Sequence, residues 1–199
     1  MLNKVLPWLK ARQKPDKHRL DIIRGKKVII RPKRIDDALD DYAWRTDEEL
    51  SVLDATRPLD MPYDEFLTFA RNELIYSRSD SKKLAIDDLS GTHIGNCMFY
   101  DIDLKRCKTE LGIMIGNRAY WSRGYGTDSV RALLEYIFET TDIRLVYLHT
   151  LEWNHRARKA FAKTGMREIK DVRRGGLDFV RMEIEKVEWE KFTYTDEQM

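Results

Sequence analysis

The stretch Glu110-Leu-Gly-Ile-Met-Ile-Gly-Asn-Arg-Ala-Tyr-Trp-Ser-Arg-Gly-Tyr-Gly-Thr127 organises the rest of the sequence. Its first half predicts a strand, and its second half predicts a glycine-bearing loop that leads into a helix. One apolar helical face follows, formed by Val130, Leu133, Leu134, Ile137 and Phe138. Because the first N–H groups of a helix have no partner within the helix, the loop and the helix start suit a phosphate group.

The composition is that of one soluble, globular domain. The chain has 199 residues, of which 42% are apolar and 35% are charged. A net charge of +2 gives no strong attraction to nucleic acid or to an anionic membrane. No apolar run approaches the roughly 18 to 20 residues that a membrane span needs. We therefore expect neither nucleic acid nor a membrane as a partner.

The two cysteines, Cys97 and Cys107, have no Cys or His partner at metal-binding spacing, so no metal is expected. So few cysteines favour a reducing compartment, and we expect a cytoplasmic protein. Residues 1–19 are predicted to be an extension of the domain. Their apolar run is short, is broken by Pro7, and is not followed by the cleavage site of a signal peptide.

The first half of the chain predicts strands, then helices, then strands again. A hairpin that turns at Gly25 is followed by a helix from Asp36 toward Leu53 and by a second helix. Three strands over residues 84–115 then form a meander, which delivers the chain to the glycine loop.

The second half predicts an α/β (α+β) fold with a mostly antiparallel sheet. The strand at 144–151 follows a helix, so we expect it to lie parallel to the strand that precedes the glycine loop. A helix capped by Asn154 and a last hairpin complete a domain over residues 20–187. Residues 188–199 are predicted to be a polar tail.

The region from Asp36 to Glu65 is strongly acidic. It contains eleven carboxylates and two arginines, which gives a local charge near −9. Two interpretations stay open: solvated faces of two helices, or a lip that attracts a cationic substrate.

The loop Tyr120–Thr127 and the strand before it resemble the acetyl-CoA motif of the GNAT superfamily of N-acetyltransferases. The branch most similar to this sequence is that of the ribosomal-protein N-acetyltransferases. The resemblance covers residues 20–185. Its other segments are Val28–Pro32, Ile94-Gly95, Asn154–Gly165 and Asp178–Met182. It implies the GNAT fold, a twisted and mostly antiparallel sheet with helices on both faces and a central, splayed pair of parallel strands.

The resemblance also implies acetyl-CoA as co-substrate, bound in the gap between the splayed strands. Its pyrophosphate would lie on backbone N–H groups of the glycine loop, where glycines present no side chain. Asn154 corresponds to the family asparagine that hydrogen-bonds the pantetheine arm. The predicted cofactor-binding residues are Met114, Ile115, Trp121, Ser122, Arg123, Gly124, Tyr125, Gly126, Thr127, Asn154 and Phe161.

The reaction implied by the resemblance is acetyl transfer from the thioester to a primary amine. The backbone N–H of Met114, or of Ile115, would stabilise the developing oxyanion. Glu110 is the first candidate for the base that deprotonates the amine, because it precedes the loop motif by the family's offset. His149 is the second candidate, since its ordinary pKa is near neutral. Phe161 stands where many members have a tyrosine acid, so the sequence leaves open whether any side chain acts as the acid.

The acceptor is left open by the sequence. A protein N-terminus, a polyamine and an aminoglycoside-like compound all carry a primary amine, and a homodimer is possible. The alternative function is a catalytically idle CoA-binding module with a regulatory or partner-binding role, which the phenylalanine at 161 motivates. A third hypothesis, association with nucleic acid or the ribosome, rests on the basic segments 10–17 and 173–176.

Overall fold

The computed structural model describes residues 22–76 and 78–196, so the predicted extension at 1–19 lies outside the described residues. The described chain is built around one eight-stranded sheet with the order β1-β2-β3-β4-β5-β6-β8-β7. The strands are β1 (Ile23–Arg24), β2 (Val28–Pro32), β3 (Ser81–Asp88), β4 (His93–Asp103), β5 (Lys108–Ile115), β6 (Leu145–Leu151), β7 (Arg167–Arg174) and β8 (Leu177–Glu185). Every neighbouring pair is antiparallel except β5 and β6, as predicted.

The helices are α1 (Ala38–Thr46), α2 (Glu48–Leu53), α3 (Tyr63–Ile75), α4 (Tyr125–Thr140), α5 (His155–Ala162) and α6 (Lys186–Asp196). They lie on both faces of the sheet, as two residues of β4 demonstrate. The ring of Phe99 packs on Tyr136 of α4, whereas Asn96 donates a hydrogen bond to Asp41 of α1. Since side chains three positions apart on a strand point to opposite faces, α1 and α4 cover opposite faces.

The main core lies between the sheet and α4. The predicted apolar face of this helix is buried, from Val130 at 1% exposure to Ile137 at 0%. Each such side chain contributes roughly 1.5–3 kcal/mol by leaving water. The helix therefore has a fixed position, and its first turn is held at the edge of the central strands.

The central strand pair separates as the sequence predicts. β5 and β6 pair in parallel over three residue pairs, and the last of them joins Glu110 to Tyr147. Beyond this pair β5 continues to Ile115 and β6 to Leu151 without pairing to each other. A gap thus opens toward the carboxyl ends of both strands, where the glycine loop and α5 begin.

The predicted helix from Asp36 toward Leu53 is two helices. Asp47 is extended, with ψ of 125°, and its side chain accepts a hydrogen bond from the Leu50 N–H, which starts α2. Aspartate is among the best N-cap residues, and here its capping bond outweighs continuation of α1. The predicted second helix is α3, but its apolar residues Phe69 and Ile75 are exposed.

The predicted polar tail is wrong for residues up to Asp196, which form α6. Trp189 is buried, with its ring 6.4 Å from that of Phe138 and 6.3 Å from that of Phe192. Trp189 and Phe192 lie three positions apart, on one side of a helix. Two aromatic side chains therefore dock a segment whose overall composition is polar.

Candidate active site

A cavity of about 540 Å³ lies where β5 ends and where α4 and α5 begin. The end of β5, the glycine loop, the first turn of α4 and much of α5 line it. On another side it is closed by Leu50 and Leu53 of α2 and by Asp54. Two helix N-termini thus meet at one cavity, and their unpaired N–H groups favour an anionic group.

The glycine loop reaches α4 through two residues with left-handed backbone. Ser122 has φ of +58°, and Gly124, the residue before the helix, has φ of +86°. Only glycine adopts the second conformation without strain. At Gly126, by contrast, an added Cβ would meet only Ile115 Cγ1, at 3.7 Å. Packing does not require that glycine, so its missing side chain keeps space open beside the cavity.

Ten of the eleven predicted cofactor-binding residues line the cavity, and Arg123 is the exception. The Arg123 guanidinium donates a hydrogen bond to the Ala119 carbonyl at 3.0 Å. It also lies about 6 Å from the rings of Tyr120 and Tyr125. Attraction to these two aromatic faces holds the side chain away from the cavity wall. The structure therefore does not bring Arg123 together with the other predicted residues.

Trp121 forms part of the cavity wall and is held on two sides. Its indole Nε1 donates a 2.6 Å hydrogen bond to the Ile115 carbonyl, which fixes the end of β5. The Arg156 guanidinium stacks on the ring at 3.6 Å from its centroid. This cation–π contact joins the glycine loop to α5 across the mouth of the gap.

Asn154 caps α5, as predicted, and also lines the cavity. Its Oδ1 accepts from the Ala157 N–H at 3.2 Å. The NH₂ group of the same side chain is a donor that the cap does not use. Phe161 lines the cavity with its phenyl ring, which offers packing but has no proton to give.

Sequence reasoning missed three cations on α5 and at its end. Arg156, Lys159 and Lys163 all line the cavity. Their i, i+3, i+7 spacing places them on one helical face, and this spacing was visible in the sequence. With the two helix N-termini they make this end of the gap positive.

The two candidate bases are in direct contact. Glu110 Oε1 lies 2.7 Å from His149 Nδ1, and both side chains are buried. On the other side of the imidazole, the Arg174 guanidinium is 3.2 Å from Nε2. Because arginine can only donate, Nε2 accepts, and the ring proton sits on Nδ1 and is donated to Glu110. The arrangement joins the imidazole to the Glu110 side chain on one side and to the Arg174 guanidinium on the other.

Tyrosine side chains adjoin this pair. Burial raises the pKa of Tyr100, and the negative charge of neighbouring Glu110 raises it further. The pKa of Tyr147 is raised by the same two causes in the same order. Both phenols therefore keep their protons at neutral pH.

Glu110 and His149 do not line the cavity itself. Glu110 belongs to the last parallel pair, so the two side chains lie at the closed end of the gap. Glu110 is also the strand partner of Tyr100, which shares its face of β4 with Asn96 and α1. The pair thus faces the side of the sheet opposite α4.

The acidic region around α1 and α2 is partly paired with bases. Six of its eleven carboxylates lie within ion-pair distance of a basic side chain: Asp37 with Arg31, Asp40 with His93, Asp41 with Lys33, Asp47 and Glu49 with Arg118, and Asp54 with Arg45. Because Arg45 belongs to the region itself and Arg31 also binds Asp87, the region keeps a net negative charge.

Across residues 22–76 and 78–196, no three His, Cys, Asp or Glu side chains are grouped to hold a metal ion. Within the same part of the chain, no helix combines the length and apolarity required to cross a bilayer.

Comparison with known proteins identifies the family. The profile of an acetyltransferase (GNAT) domain matches residues 27–167. No protein with a curated description matches the sequence significantly.

Solved structures share the fold at low sequence identity. A spermidine N-acetyltransferase from Vibrio cholerae, in complex with CoA and spermine, is 16% identical with a TM-score of 0.72, over 81% of this chain and 97% of that one. The aminoglycoside acetyltransferase AAC(6')-Ib, in complex with coenzyme A, is 18% identical with a TM-score of 0.69, over 82% and 98%. A GNAT-family acetyltransferase from Bacillus anthracis is 15% identical with a TM-score of 0.70, over 84% and 99%.

Proposed function

The chain belongs to the GNAT acetyltransferase family, and from this premise we propose that it transfers an acetyl group from acetyl-CoA to a primary amine. One observation carries the proposal: a single gap in the sheet has a positive, glycine-lined end and a closed end with a paired carboxylate and imidazole. The first suits a phosphate-bearing co-substrate, and the second suits deprotonation of an amine.

Acetyl-CoA would lie with its pyrophosphate on the N–H groups of Ser122 to Thr127. Their position before and within the first turn of α4 supports this, because the helix dipole favours negative charge there. The cations along α5 supply further attraction for its phosphates. The pantetheine arm would follow the open edge of β5, within reach of the Asn154 NH₂ group.

The reaction begins with the removal of a proton from the acceptor. An alkyl ammonium with a pKa near 10 stays protonated at neutral pH and is not a nucleophile. We assign the removal of this proton to Glu110, whose carboxylate also interacts with the buried hydroxyl of Tyr100. His149 orients Glu110 through the Nδ1 hydrogen bond. The amine nitrogen then attacks the thioester carbonyl, whose oxygen takes up negative charge beside the backbone N–H of Met114 or Ile115.

The attack forms the C–N bond, and collapse of this intermediate restores the carbonyl and breaks the C–S bond. The nitrogen has lost one proton to the base before the attack, and it loses a second proton as the amide forms. The departing thiolate takes up that second proton directly or through water, which gives the thiol of CoA. Phe161 supports this unaided departure, because its phenyl ring lines the cavity where a side-chain acid would be needed.

For the acceptor we propose a small molecule or peptide with a primary amine. The structural neighbours named above include a polyamine and an aminoglycoside acetyltransferase. The resemblance of the Tyr120–Thr127 motif to ribosomal-protein acetyltransferases supports a protein N-terminus instead.

Two measurements test the proposal in order. Isothermal calorimetry should detect CoA binding to the purified protein. Thiol release from acetyl-CoA should then rise above background with at least one of spermidine, an aminoglycoside and short N-terminal peptides. Absence of CoA binding would refute the proposal. CoA binding without turnover on any of these amines would favour the idle CoA-binding module.

A further inference from the structure

The turn between β1 and β2 is bonded to the loop that precedes α4. Lys27 Nζ donates a 2.9 Å hydrogen bond to the Arg123 carbonyl, 96 residues away in the sequence. In return, the Asp128 carboxylate accepts the backbone N–H of Lys26 at 3.1 Å and that of Lys27 at 2.7 Å. Three hydrogen bonds therefore join the N-terminal hairpin to the glycine loop and the first turn of α4.

This contact is sterically close as well as hydrogen-bonded. A Cβ added to Gly25 would lie 2.4 Å from Asp128 Oδ2, so only glycine permits the approach. On the loop side, a Cβ at Gly124 would meet Lys27 Nζ at 3.5 Å. The ammonium of Lys27 thus lies against the left-handed residue that starts α4.

The charges at this contact affect the binding of an anionic ligand at the start of α4. Asp128 places a negative charge in the first turn of the helix that would hold the pyrophosphate, where it opposes that ligand. Two backbone N–H groups satisfy this carboxylate, and the Lys27 ammonium lies beside the same turn. Lys27 therefore offsets the negative charge of Asp128 and also fixes the carbonyl of the loop residue Arg123.

We propose that Lys27 is a positioning residue for CoA phosphate binding, acting through the Arg123 carbonyl and through its charge. This inference rests on the proposed function and extends the site to a hairpin that does not line the cavity. Lys26 provides the matched control, because it takes part in the same contact through its backbone N–H, which a side-chain substitution leaves in place.

The test compares two acetyl donors, one with the phosphates and adenosine of CoA and one without them. Lys27→Met, Lys27→Arg and Lys26→Met are made in the full chain, and CoA affinity is measured by calorimetry. With an accepted amine, kcat/KM is measured for acetyl-CoA and for acetyl-pantetheine, which lacks the pyrophosphate. For Lys27→Met we expect CoA to bind roughly five- to tenfold more weakly and kcat/KM for acetyl-pantetheine to be unchanged. Lys27→Arg should restore most of the affinity, and Lys26→Met should match the wild type.

The outcomes separate this inference from the proposed function. Failure of the wild type to bind CoA would refute the proposed function. If the wild type binds CoA and Lys27→Met binds it equally well, the role of Lys27 is refuted. Equal losses with acetyl-CoA and acetyl-pantetheine would also refute it, because damage to the whole cavity, rather than a phosphate-specific effect, would then explain the change.

Discussion

Glu110 on β5 and His149 on β6 are joined by a 2.7 Å hydrogen bond at the point where the two strands part. Glu110 belongs to the last regular pair of the two strands, with Tyr147, and His149 lies two positions beyond Tyr147. The hydrogen bond gives the closed end of the gap a carboxylate with a fixed orientation.

Glu110→Gln keeps the size and a hydrogen-bond acceptor but removes the basic carboxylate. We expect kcat to fall roughly 10²- to 10⁴-fold, the range associated with loss of a general base. CoA affinity should stay within about twofold, since Glu110 does not line the cavity. Steady-state kinetics and calorimetry measure the two quantities, and an unchanged kcat would show that another group takes the proton.

His149→Ala removes the partner that orients Glu110. We expect kcat to fall about tenfold, less than for Glu110→Gln, because the carboxylate remains. The double variant should be no slower than Glu110→Gln alone, since groups in one hydrogen-bonded unit do not act additively. Kinetics of the four proteins complete the cycle. Additive losses would mean that the two residues act independently.

The two loop glycines should respond differently to alanine. Gly124→Ala forces a Cβ into a left-handed conformation, so we expect a loss of about 1 to 2 kcal/mol in the free energy of unfolding. Gly126→Ala should leave that free energy unchanged or slightly higher, because the helix accepts alanine there. It should nevertheless weaken CoA binding at least tenfold by occupying the approach to the N–H groups. Denaturant unfolding and calorimetry distinguish the two effects. Tight CoA binding by Gly126→Ala would show that the ligand does not bind at this turn.

A buried ion network anchors the α1 side of the sheet. Arg31 bonds to both Asp37 and Asp87, and all three side chains are buried. Arg31→Met would leave two buried carboxylates without their cation, so we expect a loss of about 3 to 5 kcal/mol in the free energy of unfolding. Urea unfolding at pH 7 measures it, with Arg78→Met as an exposed control whose stability should stay near that of the wild type.

The same network predicts a pH dependence. Burial alone would raise the pKa of Asp37, but its hydrogen bonds with Arg31 and the Arg34 N–H lower it below the ordinary value. The resulting stability is present above the unfolded pKa of about 3.9 and is lost as the pH falls below it. Urea unfolding between pH 7 and pH 3 should therefore show a decline that is shallower in Arg31→Met. Parallel profiles in the two proteins would contradict this origin.

The sequence predicted the order of strands and helices along the chain because this order depends on local patterns. The apolar face of α4 and the Asn154 cap each follow from a few neighbouring residues, and so does the glycine loop. The family resemblance added the gap itself, and it placed Glu110 and His149 as separate candidates. Their contact joins two strands 39 residues apart and could not be read from local spacing.

Apart from the cations of α5, whose spacing is visible in the sequence, the missed features depend on tertiary contacts. Lys27 meets the glycine loop only after the N-terminal hairpin has folded onto α4. Arg123 is drawn to aromatic rings rather than to the cavity, which its position in the motif does not reveal. Helix α6 depends on the packing of Trp189 against Phe138. The polar composition of this segment does not reveal that contact.

The short parallel pairing of β5 with β6 divides the described sheet into two panels, β1–β5 and β6–β8. The two panels share three residue pairs. A molecule bound in the gap would contact both panels and hold them together. Since such a ligand binds the folded form, its concentration would add about 2.7 kcal/mol to stability at a hundred times its Kd. Beyond their last shared pair, β5 and β6 have amide hydrogens that would exchange more slowly once such a ligand is bound. The bound co-substrate would hold the two panels together until it reacts. The protein would therefore be at its least rigid between turnovers.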